Sequence, residues 1–162
     1  MAEGTVFYTC LLVLFCVTTI SCNCPETWVT FGGSCYLFAF GQDSDFTEAR
    51  HYCQLHHDAY LVEVNDAHEN NFIVYLLNNF KDHLWWIGLS DETIEGEWKW
   101  VNSDARPEFT YWAAGQPDSY HGSNEDCALF HVHANYTWHD VGCDIKCGII
   151  CEKEEEEPVV VG

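Results

Sequence analysis

The sequence predicts a single disulfide-stapled α+β domain, and three observations carry that prediction. Two segments repeat apolar residues at helical spacing, set among short apolar or alternating runs of strand length. Cysteines are dense: the 162 residues contain ten, eight of them after position 21. Aromatic side chains make up 15% of the chain, seven tryptophans among them, and large rings of this kind dominate burial in a small domain. The length suits one domain with a sizeable core, and no internal repeat is visible.

Val6 to Ile20 is uncharged and mostly apolar, but it falls short of the about 20 residues a membrane span needs. Thr19 and Ser21 are small residues placed as signal peptidase requires, so residues 1–21 are expected to be a signal peptide and the chain secreted, without membrane insertion. The segment before the run has no Lys or Arg and carries Glu3, which leaves a retained anchor as the alternative. Next, Cys24 and Cys35 bracket Trp28-Val29-Thr30-Phe31-Gly32-Gly33, a hairpin pattern. Ser44 or Asp45 caps a first helix running to Leu55 with Phe46, Ala49 and Cys53 on one face. Asn65 opens a second helix, with Phe72, Ile73, Leu76 and Leu77 at helical spacing.

Leu84 to Leu89 reads as a buried strand. Gly96 to Val101 alternates Trp98 and Trp100 with Glu97 and Lys99, a strand with one buried face. Trp86, Trp98, Trp100 and Trp112 are expected in the core. Asn102 to Glu125 is rich in Gly, Pro, Ser and Asp and reads as long loops, which in a compact domain are usually functional or disordered. Cys127 to His133 and Trp138 to Cys143 form a strand pair, and Gly148 to Glu152 a last strand. An acidic tail over 154–162, with Glu154 to Glu157 before Pro158, is expected to be disordered.

Six basic residues face 26 acidic ones, a net charge of −20. That balance argues against nucleic acid and anionic membranes as partners, since both need Lys/Arg surfaces. Cys22, Cys24, Cys35, Cys53, Cys127, Cys143, Cys147 and Cys151 read as a disulfide framework in a secreted chain; the absence of a repeated C-x₂-C pair argues against zinc. Asn135-Tyr136-Thr137 is the one N-glycosylation sequon.

Three short clusters concentrate oxygen-bearing side chains: Gln116-Pro117-Asp118, Glu125-Asp126-Cys127 and Trp138-His139-Asp140. Ca²⁺ is a hard cation that takes six to eight such oxygens. Pro117 holds its neighbours in an extended loop, and a cis bond before it would let both side chains face one ion.

Together with Trp86-Ile87-Gly88-Leu89 and Gly148-Ile149-Ile150-Cys151-Glu152, these clusters resemble the C-type lectin domain, from Cys24 to Lys153. The pattern is most similar to small secreted invertebrate lectins of the perlucin-like kind. The resemblance implies a domain over 22–153 in which two helices flank mixed β-strands, with long calcium-binding loops grouped at one end. It also implies the disulfides Cys24–Cys35, Cys53–Cys151 and Cys127–Cys143. Cys22 and Cys147 are extra to the pattern: either they pair with each other, or Cys22 links two chains into a homo-oligomer.

For the site, the resemblance implies a primary Ca²⁺ held by Gln116, Asp118, Glu125 and Asp140. Gln116 and Asp118 match the pair that selects galactose-type sugars, because exchanging acid and amide ends reverses the donor–acceptor pattern offered to the sugar hydroxyls. Glu125 would also contact the sugar, and Tyr120 would pack on its apolar C–H face. His139 departs from the family's Asn. Imidazole is a poor Ca²⁺ ligand, so either water supplies that oxygen or the site is weaker and pH-sensitive; the ring could also donate to a sugar hydroxyl. Asp91, Glu95 and Asp126, sharing Glu125, match an auxiliary calcium site in which Ser119 stands where an acid is common.

Other chemistry is weaker in the sequence. His131 and His133 would share one face of a strand, but two imidazoles fall short of a zinc site. His57-Asp58 lacks the cysteine context of a phospholipase, and neither G-x-S-x-G nor H-E-x-x-H occurs, so no enzyme is expected. The expectation is a secreted, calcium-dependent lectin for galactose or N-acetylgalactosamine glycans on cell or microbial surfaces, serving innate immune recognition or agglutination. The alternative is a matrix or biomineralisation protein that contacts calcium-bearing surfaces.

Overall fold

The structure is a computed structural model that describes residues 24–80, 83–120 and 124–155. The expected signal peptide, Cys22 and the end of the acidic tail lie outside the described residues. In chain order the elements are β1 (Val29–Phe31), β2 (Ser34–Ser44), α1 (Phe46–Leu55), β3 (Tyr60–Leu61), α2 (Ala67–Phe80), β4 (Trp85–Ser90), β5 (Lys99–Trp100), β6 (Cys127–His131), β7 (Thr137–Val141) and β8 (Cys147–Glu154). The strands form one sheet in the order β1-β2-β8-β4-β6-β7, with β3 added to β8 and β5 to β4. The pairing of β4 with β8 is parallel; the others are antiparallel.

Local chemistry sets the element ends. The β1–β2 hairpin turns on Gly32 and Gly33, both at positive φ, where a side chain would be strained. Asp45 caps α1 by accepting the Glu48 N–H at 2.9 Å. Asp66, one residue beyond the expected Asn65, caps α2 by accepting the N–H groups of His68 and Glu69; each such cap is worth about 1 kcal/mol.

Strand alternation divides the core between the two faces of the sheet. Trp85, Ile87 and Leu89 of β4, Ala128 and Phe130 of β6, and Ile150 of β8 pack with Ile73 and Leu77 of α2. Trp86, Cys127, Leu129, Ile149 and Cys151 point the other way, onto Phe46, Ala49 and Cys53 of α1. A strand covered on both faces needs a continuous apolar run, which is why residues 85–89 do not alternate with polar ones. Within that run, Gly88 donates its N–H to the Val62 carbonyl at 2.8 Å, and a Cβ there would stand 2.5 Å from the Leu61 carbonyl oxygen. The glycine lets the β3 chain pass directly against β4.

Three disulfides form: Cys24–Cys35, Cys53–Cys151 and Cys127–Cys143. Cys53–Cys151 joins α1 to β8 across 98 positions, and closing a loop of that size contributes roughly 4.7 kcal/mol on the chain-entropy account. Cys147 is buried and unpaired; burial, with the charge of Asp43 second, pushes its thiol pKa up to about 12. Across β8, the carboxylate of Glu152 accepts from the Ser34 hydroxyl and the Glu63 N–H. Nearby Glu69 accepts from the Tyr36 hydroxyl and the Asn65 N–H. Both acids are buried.

Several boundaries differ from the sequence expectation; β7, expected over 138–143, runs Thr137–Val141. The strand expected over 127–133 ends at His131, because Val132–Ala134 turn as a 3-10 helix and Asn135 adopts the left-handed region. The strand expected over 96–101 contracts to Lys99–Trp100. There Trp98 leaves the ladder and is only partly buried, stacked edge-on against the likewise partly buried Trp112. The last strand begins one residue before the expected Gly148, at Cys147. It also continues into the segment assigned to the tail: Glu154 pairs with Ser34, and the Glu155 N–H reaches the Gly33 carbonyl.

Candidate functional site

The site grows from the edge strand β7. The Trp138 N–H donates to the Tyr111 carbonyl, and the Ala113 N–H donates to the Trp138 carbonyl. These bonds bind the long loop to the strand edge and deliver Gln116 and Asp118 beside Asp140. The Gln116–Pro117 bond is cis. Gln116 Oε1 accepts the Asp140 N–H at 3.2 Å, while its Nε2 donates to Asp118 Oδ1 at 3.0 Å. From the other side, Cys127–Cys143 ties the start of β6 to the chain just after β7 and holds Glu125 close to both.

Carboxylate oxygens of Asp118, Glu125 and Asp140 all lie within 4.8 Å of one another. Asp140 is buried, Glu125 partly so, and Asp118 exposed. Among the described residues, Lys99 pairs with Asp104, Arg106 with Glu97, and Lys146 with Asp45 and Glu48, away from these three carboxylates. Backbone donors offset part of the repulsion. Asp140 Oδ2 accepts the N–H groups of Asp118 and Ser119, and Glu125 Oε2 accepts that of Tyr120. Asp140 Oδ1 is buried without a hydrogen-bond partner. An orphaned buried oxygen among converging carboxylates fits a hard cation. Oxygens at about 2.4 Å from Ca²⁺ stand within about 5 Å of each other, so the carboxylates of Asp118, Glu125 and Asp140 fit that ion, with Gln116 bonded to two of the three residues.

The auxiliary acids cluster alongside. Asp91 is buried, its Oδ2 accepts the Gly96 N–H at 2.8 Å, and its Oδ1 has no partner. Burial raises its pKa, and the charges of Glu95 and Asp126 add to the shift. The Asp91 N–H donates to the Asp126 carbonyl. Ser119, noted in the sequence only as a missing acid, donates its hydroxyl to Glu95 Oε1 at 2.9 Å and so couples the two acid groups.

His139 leaves β7 on the face opposite Asp140, and its ring lies 4.5 Å from that of His131. Burial lowers its pKa, against the charges of Asp140 and Asp118, which pull it up. His131 is lowered in the same way, by burial and then by its histidine neighbours. Tyr120 is 61% exposed beside Glu125, and Asn135 is exposed. Sequence reasoning missed the meeting of His131 with His139, because only the cross-strand register brings them together.

The carboxylate cluster thus sits at the end of a mixed sheet, fed by a loop anchored on its edge strand. Residues 42–153 match the lectin C-type domain family, and the chain belongs to that carbohydrate-binding, generally Ca²⁺-dependent family. It is 39% identical over 127 residues to the hepatic lectin of Gallus gallus, covering 78% of this chain and 58% of that one. It is 33% identical over 136 residues to a perlucin-like protein of Mytilus galloprovincialis, covering 82% and 85%. With asialoglycoprotein receptor 2 of Mus musculus the identity is 39% over 150 residues, covering 90% and 46%. The chain therefore spans about half the length of the two vertebrate relatives and most of the mussel one. The carbohydrate-recognition domain of the mouse scavenger receptor C-type lectin superposes with a TM-score of 0.74 at 34% identity, covering 83% of this chain and all of that domain. The lectin CEL-I of Cucumaria echinata gives 0.74 at 27%, covering 82% and 99%.

Proposed function

We propose that this protein is a secreted, Ca²⁺-dependent lectin for galactose or N-acetylgalactosamine glycans, with Gln116, Asp118, Glu125 and Asp140 holding the ion. The convergence of Asp118, Glu125 and Asp140 within 4.8 Å carries the reading. When bound, Ca²⁺ supplies a positive centre that two vicinal sugar hydroxyls can coordinate. The residues themselves do the rest. Asp118 and Glu125 accept hydrogen bonds from those hydroxyls, and Gln116 offers an amide where an acid would reverse the pattern. Tyr120 presents a ring to the C–H face of the sugar. Relatives named hepatic lectin and asialoglycoprotein receptor support a glycan ligand. Asp91, Glu95 and Asp126 form the auxiliary calcium site. His139 is left out of the ligand set, because its ring packs on His131. No helix among the described residues is long and apolar enough to cross a membrane.

The test is retention on immobilised galactose in calcium buffer. Release by chelator is expected; equal retention in excess chelator would sink the calcium mechanism. Recognition of foreign or damaged cells through several weak sites follows if Cys22 links chains, since joining two sites raises avidity by roughly 10²–10⁴.

A matrix role is the second reading, favoured by the mussel perlucin-like relative, which the chain covers over 85% of its length, and by the net charge of −20. Because Glu154 and Glu155 are engaged with β2 and its turn, the deletion that tests it begins at residue 156. Under that reading adsorption to calcium carbonate drops while sugar binding is unchanged.

A further inference from the structure

We propose that Asn135 carries an N-linked glycan on the β6–β7 turn, at the end of β7 away from the carboxylate cluster. Asn135-Tyr136-Thr137 is the one acceptor sequence in the chain, and such a sequence suits the modification where it lies on a surface turn. The fold puts it there. β6 ends at His131, Val132–Ala134 turn as a 3-10 helix, and β7 begins at Thr137. Asn135 stands between them, exposed and in the left-handed region at φ 53° and ψ 36°, a conformation that Asn tolerates.

The neighbours hold this side chain outward. Tyr136, the next residue, is 3% exposed and packs in the same core cluster as Phe130 and Trp138. The Tyr136 N–H donates to the His131 carbonyl at 3.0 Å, and the Thr137 hydroxyl donates to the Ala134 carbonyl at 2.8 Å. The turn is thereby fixed on both sides of Asn135, whose amide faces solvent. By contrast, Asn65, Asn78 and Asn79 donate their amides to backbone carbonyls, and Asn70 is buried.

The modification is a group transfer. Its co-reactant is an oligosaccharide joined through a diphosphate to a lipid, supplied in the secretory compartment, so the proposal rests on the reading of the chain as secreted. Asn135 Nδ2 forms a bond to C1 of the first N-acetylglucosamine, and the C1–O bond to the diphosphate breaks. The bonding pair leaves with the lipid diphosphate, the amide nitrogen gives up one proton, and nothing is oxidised or reduced. The attached group is bulky and solubilising, which a turn accommodates and a core does not.

Placement keeps the glycan clear of the sugar site. Asp140 lies three residues beyond Thr137 along β7, about 10 Å at ~3.3 Å per residue, and Asn135 stands two residues further back on the turn. The glycan grows from one end of the strand while the loop with Gln116 and Asp118 closes over the other.

The test expresses the full chain in eukaryotic cells and weighs it by mass spectrometry before and after peptide N-glycosidase. A mass above that of the polypeptide is expected, removed by the enzyme with conversion of Asn135 to Asp. Thr137→Ser, which keeps the acceptor sequence, should retain the added mass, and Thr137→Ala should lose it. Peptide mapping of the wild-type chain decides the matter should Thr137→Ala not fold. Retention on immobilised galactose should be the same before and after glycan removal; a change would overturn the placement. An unmodified chain in the medium overturns the glycan and leaves secretion standing, whereas an unmodified chain confined to the cytosol overturns both. A glycan that persists in Thr137→Ala, or maps to another residue, ends the assignment to Asn135.

Discussion

Asp140 accepts the backbone N–H of Asp118 at 2.9 Å, a bond between residues 22 apart that fixes the long loop against β7. The same oxygen takes the Ser119 N–H at 2.7 Å, while Oδ1 remains buried and unpaired. One oxygen of this carboxylate thus shapes the loop, and the other is left for the proposed ion. Asp140→Ala removes both functions and leaves two N–H donors without their acceptor, which costs about 1–3 kcal/mol. Thermal unfolding in chelator should show this loss. Added CaCl₂ should raise the Tm of wild type by preferential binding to the folded state and leave the variant unmoved. An equal Tm gain in both proteins would remove Asp140 from the ion.

Tyr120 is the exposed aromatic of the site, its N–H held by Glu125 at 2.6 Å. If its ring packs on the sugar, Tyr120→Ala loses about 0.5–1.5 kcal/mol of aromatic contact, roughly a 2- to 10-fold weaker galactose affinity. Calcium affinity should be unchanged, because the side chain contributes no ligand. Glycan-array or calorimetric titration separates the two quantities. Loss of both together would mean that the ring supports the loop instead of touching sugar.

Glu152 makes stability depend on pH. Burial, with the charge of Glu69 second, pushes its pKa up to about 7. The unfolded chain ionises this group near 4.5, so between about 4.5 and 7 the folded state holds the extra proton. Stability contributed by the protonated carboxyl is therefore fully present below about 4.5 and is lost as pH rises toward 7, by roughly 3 kcal/mol. Urea unfolding in chelator should show this decline, and Glu152→Gln should flatten it. An unaltered pH slope in the variant would assign the effect to other acids.

Some of this architecture is legible in the sequence because it is local. Phe46, Ala49 and Cys53 recur at helical spacing and are the buried face of α1. Residues 85–89 read as a doubly covered strand because no polar side chain interrupts them. The acids of the site are legible as residue types, since a hard cation needs clustered oxygens. What escapes is set by distant partners. β3 has two residues, too few for periodicity, and exists because β8 pairs with it. Trp98 alternates like a strand residue, yet packing against Trp112 draws it out of the ladder. Ser119 acquires a role only when the loop brings it to Glu95, and the His131–His139 ring contact exists only through the β6–β7 register.

Cys147 decides what remains for Cys22. Its thiol is buried on β8 and forms no disulfide, and a pKa pushed up to about 12 leaves on the order of 10⁻⁴ of it as reactive thiolate at pH 8. In the folded protein it should resist iodoacetamide for hours, and in urea it should label fully; mass spectrometry distinguishes the two. With Cys147 withheld from exchange and six cysteines held in the three disulfides, the interchain alternative for Cys22 can be tested directly. Non-reducing electrophoresis should then show a dimer that Cys22→Ser converts to monomer, with agglutination lost and galactose retention kept. A monomer in which Cys147 is labelled only after reduction would instead establish a Cys22–Cys147 bond and end the case for disulfide-linked avidity.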